Sequence, residues 1–251
     1  MNKGNTGFLT AEVKHHQNYT NALGFYLMNS PTLNPILWLW IPLSIMIIQI
    51  GIELFVPDSF KTAVHSENGP HETLQFLFAL GGLFYALRCL LRVSFSSQKI
   101  LTFWLICFAV GCTYIAGEEV SWGQHIFNWA TPEFWGTLND QNETNLHNTS
   151  SWLDQKPRLL LLVGVITGGL IIPFLQRFKP SVLPKKFEMI YPPACLVPIA
   201  ALALSIKIID KIDDNLPDIV LFYRASEIEE LFLFYFVLLY LIVLYRRIIA
   251  S

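Results

Sequence analysis

Two short runs in the middle of the sequence hold acids, a serine and histidines at spacings that suit a catalytic or metal site. The first, at 117–125, has the sequence GEEVSWGQH. On a continuous helix Glu118, Ser121 and His125 share one face, because they lie at i, i+3 and i+7. Imidazole and carboxylate groups bind transition metals and also act as general acids or bases. The run therefore predicts a site on one face of a helix.

A second run, at 142–148, has the sequence NETNLHN and adds another carboxylate and another imidazole. Glu143 and His147 lie at i and i+4, which lets both side chains ligate one ion if the segment is helical. A metal would offset the cost of crowding like charges and would lower the pKa of a bound water. We therefore predict a divalent metal, either zinc or else iron or manganese. The predicted ligands are Glu118, His125, Glu143, His147, Glu227 and Glu230.

The predicted catalytic residues are Glu72, Glu119 and Ser121. Glu72 or Glu119 would act as general base, and Ser121 would orient the water or the substrate carbonyl. A serine nucleophile fits the sequence less well, because no Ser-His-Asp order stands out. His65 stands in a polar loop beside Ser66 and is expected to be solvated.

Simpler interpretations compete with a site at several of these acids. Glu72 and Glu227 begin apolar segments, where a carboxylate favourably opposes the dipole at a helix N-terminus. Ser226 and Glu229 have capping-box spacing, and this is the better interpretation of Glu229. Arg224 and Glu227 lie at i and i+3, which also suits a plain ion pair.

The elements that must position these residues are apolar segments long enough to cross a bilayer. Hydrophobic residues make up 53% of the 251 residues and charged residues only 14%, a composition that excludes an ordinary soluble domain. A bilayer core of about 30 Å needs about 20 apolar helical residues. Six segments approach that length: 36–56, 73–92, 100–117, 158–176, 190–208 and 229–246. The sequence thus predicts an all-α, polytopic membrane helical bundle of about six transmembrane helices.

The distribution of Lys and Arg predicts the orientation, because these residues favour cytoplasmic loops. With the N-terminus inside, eleven of the 17 fall on the inside: Lys3, Lys14, Arg88, Arg92, Lys99, Arg177, Lys179, Lys185, Lys186, Arg246 and Arg247. We expect a cytoplasmic segment at 1–35, polar and without the apolar core of a signal peptide. A six-span domain follows at 36–251, with an extracytoplasmic cap at 118–157. Both termini are then cytoplasmic, and the site faces the extracytoplasmic side.

Charge and cysteine content exclude two further classes of protein. A formal net charge of −2 gives no basic surplus for nucleic acid. The four cysteines lie in or beside apolar segments without paired metal spacing, so neither a disulfide framework nor a zinc ribbon is indicated. Membrane lipid is the expected partner.

The runs GEEVSWGQ at 117–124 and NETNLHN at 142–148 resemble an uncharacterised family of bacterial multi-span membrane proteins. The resemblance covers about an eighth of the chain and implies the bacterial cytoplasmic (inner) membrane. A looser similarity is to the alkaline ceramidase-like membrane hydrolases, which set a metal site of His, Asp and Ser among helix ends. This chain departs from them in having six predicted spans rather than seven, no His-x-x-x-Asp-x-x-x-His run, and glutamates in place of the aspartate.

Three functions remain open from the sequence. The leading hypothesis is a membrane-embedded, metal-dependent hydrolase or transferase acting on a lipid or lipid-linked substrate at the extracytoplasmic face. The second is a proton- or cation-coupled transporter that uses the same carboxylates, since intramembrane acids mark ion paths. The third is a non-catalytic membrane subunit or assembly factor whose cap binds a partner.

Overall fold

A computed structural model gives the architecture of most of the chain. It describes residues 33–66, 69–138, 143–146, 149–216 and 220–251. These residues form helices and turns and contain no β-strand. The helices are α1 (Ile36–Phe55), α2 (Asp58–Val64), α3 (Pro70–Leu90), α4 (Lys99–Glu119), α5 (Gln124–Phe127), α6 (Glu133–Leu138), α7 (Ser151–Ile166), α8 (Ile172–Phe178), α9 (Val197–Asn215) and α10 (Ala225–Ala250).

Five stretches within the described residues are helical, long and apolar enough to cross a membrane. Helices α1, α3, α4 and α10 each qualify over their whole length, and the fifth stretch is Gln155–Phe178. The last of these runs from α7 through a π-helical turn at Thr167–Ile171 into α8. The prediction of an all-α polytopic bundle is therefore confirmed.

Helix α10 forms the centre of the bundle. Its sequence is apolar on every side. Of its most apolar 18 residues 78% are buried, whereas in α1 the corresponding share is 11%. A helix that is hydrophobic all round belongs in the interior. Helices α3 and α9 pack along α10, and α4 packs against α3 and also contacts Tyr240 of α10.

The predicted span 190–208 differs from the other predicted spans. Its first residues form short 3-10 turns. The following helix α9 carries charged residues through its second half. For this reason α9 is not one of the five stretches that are apolar enough to cross a membrane. The segment nevertheless runs alongside α10 in the opposite direction. Arg247 donates to the carbonyl oxygen of Met189 at 3.2 Å, whereas Lys207 contacts Glu229 at 3.1 Å. These contacts are 18 residues apart on α10, about 27 Å, which is close to the thickness of a bilayer core.

Acids gather where α1 and α4 end and α3 and α10 begin, and we call this the acidic end of the bundle. The backbone N–H of Tyr223 donates to Glu53 at 3.1 Å, which ties the entry to α10 to the last turn of α1. Gln75 of α3 donates to the carbonyl oxygen of Glu227 at 3.0 Å. Arg158 of α7 contacts Glu230 at 2.5 Å. The polar ends of α1, α3, α7 and α10 therefore lie close together at the acidic end.

Candidate functional site

The backbone leaves the helical path immediately after Glu119. Ser121 and Trp122 have φ angles of 46° and 54°, and Gly123 has a φ of 105°. Non-glycine residues adopt this region rarely, and Gly123 is the one residue of the three that does so without strain. The predicted continuous helix from Glu118 to His125 is therefore wrong. The turn folds the chain back over the end of α4.

Glu118 connects this turn to residues 143–146 of the second polar run by hydrogen bonds. Its side chain is buried, with 4% of the residue exposed. One carboxylate oxygen accepts from Trp122 Nε1 at 2.5 Å, and the other accepts from the backbone N–H of Leu146 at 2.7 Å. A buried carboxylate needs such donors, because an unpaired charge there is costly. Glu118 thus fixes the turn and the segment 143–146 against each other.

Ser121, His125, Glu143 and Asn145 form a compact hydrogen-bonded group above Glu118. His125 Nε2 lies 2.8 Å from Glu143 Oε1 and 3.2 Å from Ser121 Oγ. Ser121 Oγ donates to Glu143 Oε2 at 2.9 Å, and the amide of Asn145 donates to the same oxygen at 2.5 Å. Glu143 therefore receives three donors and is held in place. Residues 143–146 are not helical, so these residues do not meet the condition on which the spacing of Glu143 and His147 depended, and His147 itself lies outside the described residues.

The contact with Glu143 favours one tautomer of the His125 ring. Nε2 carries the proton given to Glu143, and in a neutral ring the lone pair is then on Nδ1. Nδ1 is buried and has no hydrogen-bond partner among the described residues. One ring nitrogen is thus held by a carboxylate while the other is buried without a partner among the described residues. Ser121 contacts the nitrogen that Glu143 already holds, which is not the arrangement of a serine-protease triad.

Two side chains that the sequence did not single out complete the turn. Gln124 Oε1 accepts from the backbone N–H of Thr144 at 2.8 Å, and Gln124 Nε2 donates to Thr131 at 2.8 Å. Thr144 Oγ1 also donates to the carbonyl oxygen of Ser121 at 2.7 Å. The signal for them was their membership of the same two polar runs. Their role is to hold the runs together.

A second group, made of acids and arginines, lies beside the hydrogen-bonded group around Glu143. Arg224 pairs with Glu227 at 2.8 Å, which confirms the predicted ion pair. Arg158 pairs with Glu230, and it was not predicted to take part. Glu119 lies within electrostatic reach of these groups and of Glu72. Four predicted site residues are therefore brought together here: Glu72, Glu119, Glu227 and Glu230.

Glu229 is not a capping residue. It is fully buried and pairs with Lys207 of α9 at 3.1 Å, 22 residues away in sequence. The residue before α10 is Arg224, with a φ of 49° and no side-chain cap. The capping prediction for Ser226 and Glu229 is therefore wrong, because an interhelical contact outweighs local spacing.

The group around Glu143 and the acidic group around Glu119 both line one cavity of about 610 Å³ between α4, α7 and α10. The polar lining at the acidic end comprises Glu72, Glu118, Glu119, His125, Glu143, Asn145, Arg158, Arg224, Ser226, Glu227 and Glu230. The apolar lining continues along the spans and comprises Trp104, Phe108, Gly111, Ile115, Leu160, Leu161, Gly164 and Phe234. Ser121 is fully buried behind this lining. The cavity is therefore amphipathic, with its polar part at one end.

His65 is buried rather than solvated. Only 2% of it is exposed, and its ring stacks on His71 with centroids 4.3 Å apart. Gln49 contacts His65 Nε2 at 3.2 Å, and Arg224 donates to the His65 carbonyl oxygen. Burial lowers the pKa of His65 to about 4, and the positive charge of Arg224 and the ring of His71 add to the effect. This pair joins α1, α2 and α3 at the acidic end.

The predicted metal ligands that the structure describes are divided between the group around Glu143 and the acidic group around Glu119. Among the residues that the structure describes, no three His, Cys, Asp or Glu side chains are placed to hold one ion. Glu118 and Glu143 use their oxygens on protein donors. His147 lies outside the described residues. A metal at His125 and Glu143 would need His147 or a rearrangement of these hydrogen bonds.

No family model, no curated protein and no solved structure matches this chain. The interpretation of the site therefore rests on its own geometry.

Proposed function

We propose that this protein is a membrane-embedded hydrolase or transferase that acts on a lipid or lipid-linked substrate. The observation that carries the proposal is the amphipathic cavity, whose polar end holds His125 and Glu143 and whose apolar part lies among spanning helices. Its volume is in the range of ligand sites, which are concave and mostly apolar with a few convergent polar groups. An amphiphile would place its polar group at the acidic end and its chain along the spans.

In the proposed reaction His125 is the general base. Glu143 holds Nε2 at 2.8 Å and would stabilise the imidazolium that forms when Nδ1 takes a proton, and because Nδ1 is buried in this structure, the ring must move to expose it to the attacking water or hydroxyl group. The attacking oxygen bonds to the electrophilic carbon or phosphorus of the substrate, the bond from that atom to the leaving oxygen breaks, and the ring returns the proton to the leaving oxygen. Asn145 and Ser121 position Glu143 through their hydrogen bonds to Oε2. These contacts favour His125 over Glu72 and Glu119, the predicted bases, which lie in the other acidic group.

The test uses purified protein in vesicles of phosphatidylethanolamine and phosphatidylglycerol, with mass spectrometry of the lipids over time. We expect new lipid products with the native chain and none with His125→Ala or Glu143→Gln. Glu133→Gln is the matched control, because Glu133 is exposed on α6 and does not line the cavity. Absence of any product, or equal product from His125→Ala, would refute the proposal.

The divalent metal stays a prediction within this proposal. Its predicted ligands are Glu118, His125, Glu143, His147, Glu227 and Glu230, and it would supply a water of lowered pKa. Elemental mass spectrometry of protein purified without chelator tests it. Near-stoichiometric zinc, iron or manganese that is lost in the double variant His125→Ala, His147→Ala supports it. Metal-free protein that still forms lipid products refutes it.

The cavity also gives the transporter hypothesis a specific observation. Its lining extends along α4 from Glu119 to Trp104, which is 15 residues or about 22 Å of helix. A path of that depth covers most of a bilayer core. Proton or cation flux into liposomes, abolished by Glu119→Gln, would favour transport, and lipid turnover without flux would favour the enzyme.

A further inference from the structure

The apolar part of the cavity has the dimensions of one lipid chain. We call it the slot, and its walls are Trp104, Phe108 and Gly111 of α4 and Leu160, Leu161 and Gly164 of α7. From Trp104 to Ile115 the slot follows 11 residues of α4, or about 17 Å. The hydrocarbon of one leaflet is half of a core of about 30 Å. The slot is therefore about as long as one leaflet is thick.

The slot is open at its side, and Trp104 lies at its floor. Leu160 lines it and is 75% exposed, so the α7 edge faces the surroundings of the bundle, which in a membrane are lipid chains. At the floor, Trp104 Nε1 donates to the hydroxyl of Tyr240 at 2.8 Å, and Phe108 packs edge-on against Trp104. A chain can thus enter sideways from the bilayer and stop at Trp104.

Two glycines line the slot, Gly111 on α4 and Gly164 on α7. A Cβ atom added at Gly111 or at Gly164 would meet no atom within 4 Å, and neither glycine has a positive φ. Glycine is a poor helix former, and here neither close packing nor backbone conformation requires it. Gly111 is eight residues below Glu119, about 12 Å, and Gly164 six below Arg158, about 9 Å. They lie at similar depth, and what both provide is free width.

We infer that the slot binds one alkyl chain, which enters from the bilayer between α4 and α7, and that Gly111 and Gly164 keep it open. The chain belongs to the lipid substrate, and that assignment rests on the proposed function. The polar end of the cavity continues directly into the slot, so one amphiphile occupies both.

A photoreactive hexadecanol with a diazirine on its chain tests the inference. The purified full chain in nanodiscs is illuminated with this probe, with and without excess unmodified hexadecanol, and the labelled peptides are mapped. We expect labelling of α4 and α7 along the slot that the competitor abolishes. Labelling of lipid-facing surfaces elsewhere should persist, because bulk lipid is not displaced.

Substitutions that fill the slot provide the decisive comparison. Gly111→Leu and Gly164→Leu should each abolish the competed labelling. Gly51→Leu is the matched control, because Gly51 is also helical with nothing within 4 Å of its Cβ position but does not line the cavity. If a leucine variant fails to fold, Gly111→Ala and Gly164→Ala should keep a melting temperature at or above that of the native chain and still weaken labelling.

Two outcomes overturn the inference: no competed labelling in the native chain, or the same labelling in the slot-filling variants as in Gly51→Leu. Parallel lipid turnover on the same samples separates this failure from failure of the proposed function. Turnover without competed labelling refutes the slot and leaves the reaction standing. Competed labelling without turnover refutes the reaction and leaves the slot standing.

Discussion

Gly117 and Trp122 explain at the scale of residues how the turn after α4 is held. A Cβ atom at Gly117 would lie 2.9 Å from the indole ring of Trp122, so only glycine admits this packing. Gly117→Ala should push the ring away and break its hydrogen bond to Glu118, at a cost of about 1 to 3 kcal/mol. Hydrogen exchange should then quicken at Leu146, whose N–H donates to Glu118.

Gly111→Ala is the control for this experiment, because it changes the same helix where the added methyl group meets nothing. It should leave exchange at Leu146 unchanged. Equal protection of Leu146 in Gly117→Ala and the native chain would show that Trp122 does not hold the turn.

His65 predicts a dependence of stability on pH. Its folded pKa of about 4 lies below the usual 6.5, so between these values the unfolded chain binds a proton that the folded chain does not. Its contribution is complete above pH 6.5 and is lost as pH falls towards 4, by about 3 kcal/mol at most. Thermal unfolding in detergent across this range measures the slope. His65→Gln should flatten it, and an unchanged slope would assign the effect to other groups.

The sequence indicated which residues meet but not how they meet. The residue types predicted one site that contains Glu118, Ser121, His125 and Glu143, and the structure brings these four residues together. The helical spacing used to argue this was wrong, because positive φ angles at Ser121 to Gly123 end the helix. The burial of His65 depends on contacts with α1, α3 and the entry to α10, and local polarity gives no sign of such distant contacts.

At the scale of elements, the pair between Lys207 and Glu229 tests how α9 docks on α10. Glu229 is fully buried, and removal of its partner leaves a charge without compensation. Lys207→Met should lower the free energy of unfolding by about 3 kcal/mol, and adding Glu229→Leu should recover most of it. Lys211→Met is the control, because its pair with Asp214 on the same helix is exposed and should contribute less than about 1 kcal/mol. Equal effects of Lys207→Met and Lys211→Met would mean that the buried contact does not hold α9.

The extents of most helices could be predicted from the apolar runs alone. The predicted span 100–117 lies within α4, and the predicted span 73–92 overlaps nearly all of α3. Segment 190–208 was harder, because its prolines and the charges that follow Ile206 in α9 leave only a short apolar stretch of helix. It is held against α10 by polar contacts at both ends, which hydropathy does not measure.

At the scale of the whole molecule, orientation in the membrane stays a prediction from Lys and Arg. The test uses a chain whose four cysteines are replaced and which carries one new cysteine at a time. Ser97→Cys and Lys185→Cys lie at the end of the bundle opposite the acidic end. They should resist a membrane-impermeant maleimide in intact bacterial cells. Glu133→Cys and Asn215→Cys, beyond α4 and at the end of α9, should react. Lysis should expose all four equally.

Asn215→Cys carries the most information, because it tests whether α9 crosses the membrane. Helices α8 and α9 are joined by residues 179–196, which include Lys185, and the contacts of Met189 and Lys207 place the two ends of segment 189–207 about 27 Å apart along α10. If the segment crosses, Lys185→Cys and Asn215→Cys react on opposite sides. Protection of both in intact cells would mean that α9 does not cross, and the reversed pattern at all four positions would invert the bundle and put the cavity's polar end in the cytoplasm.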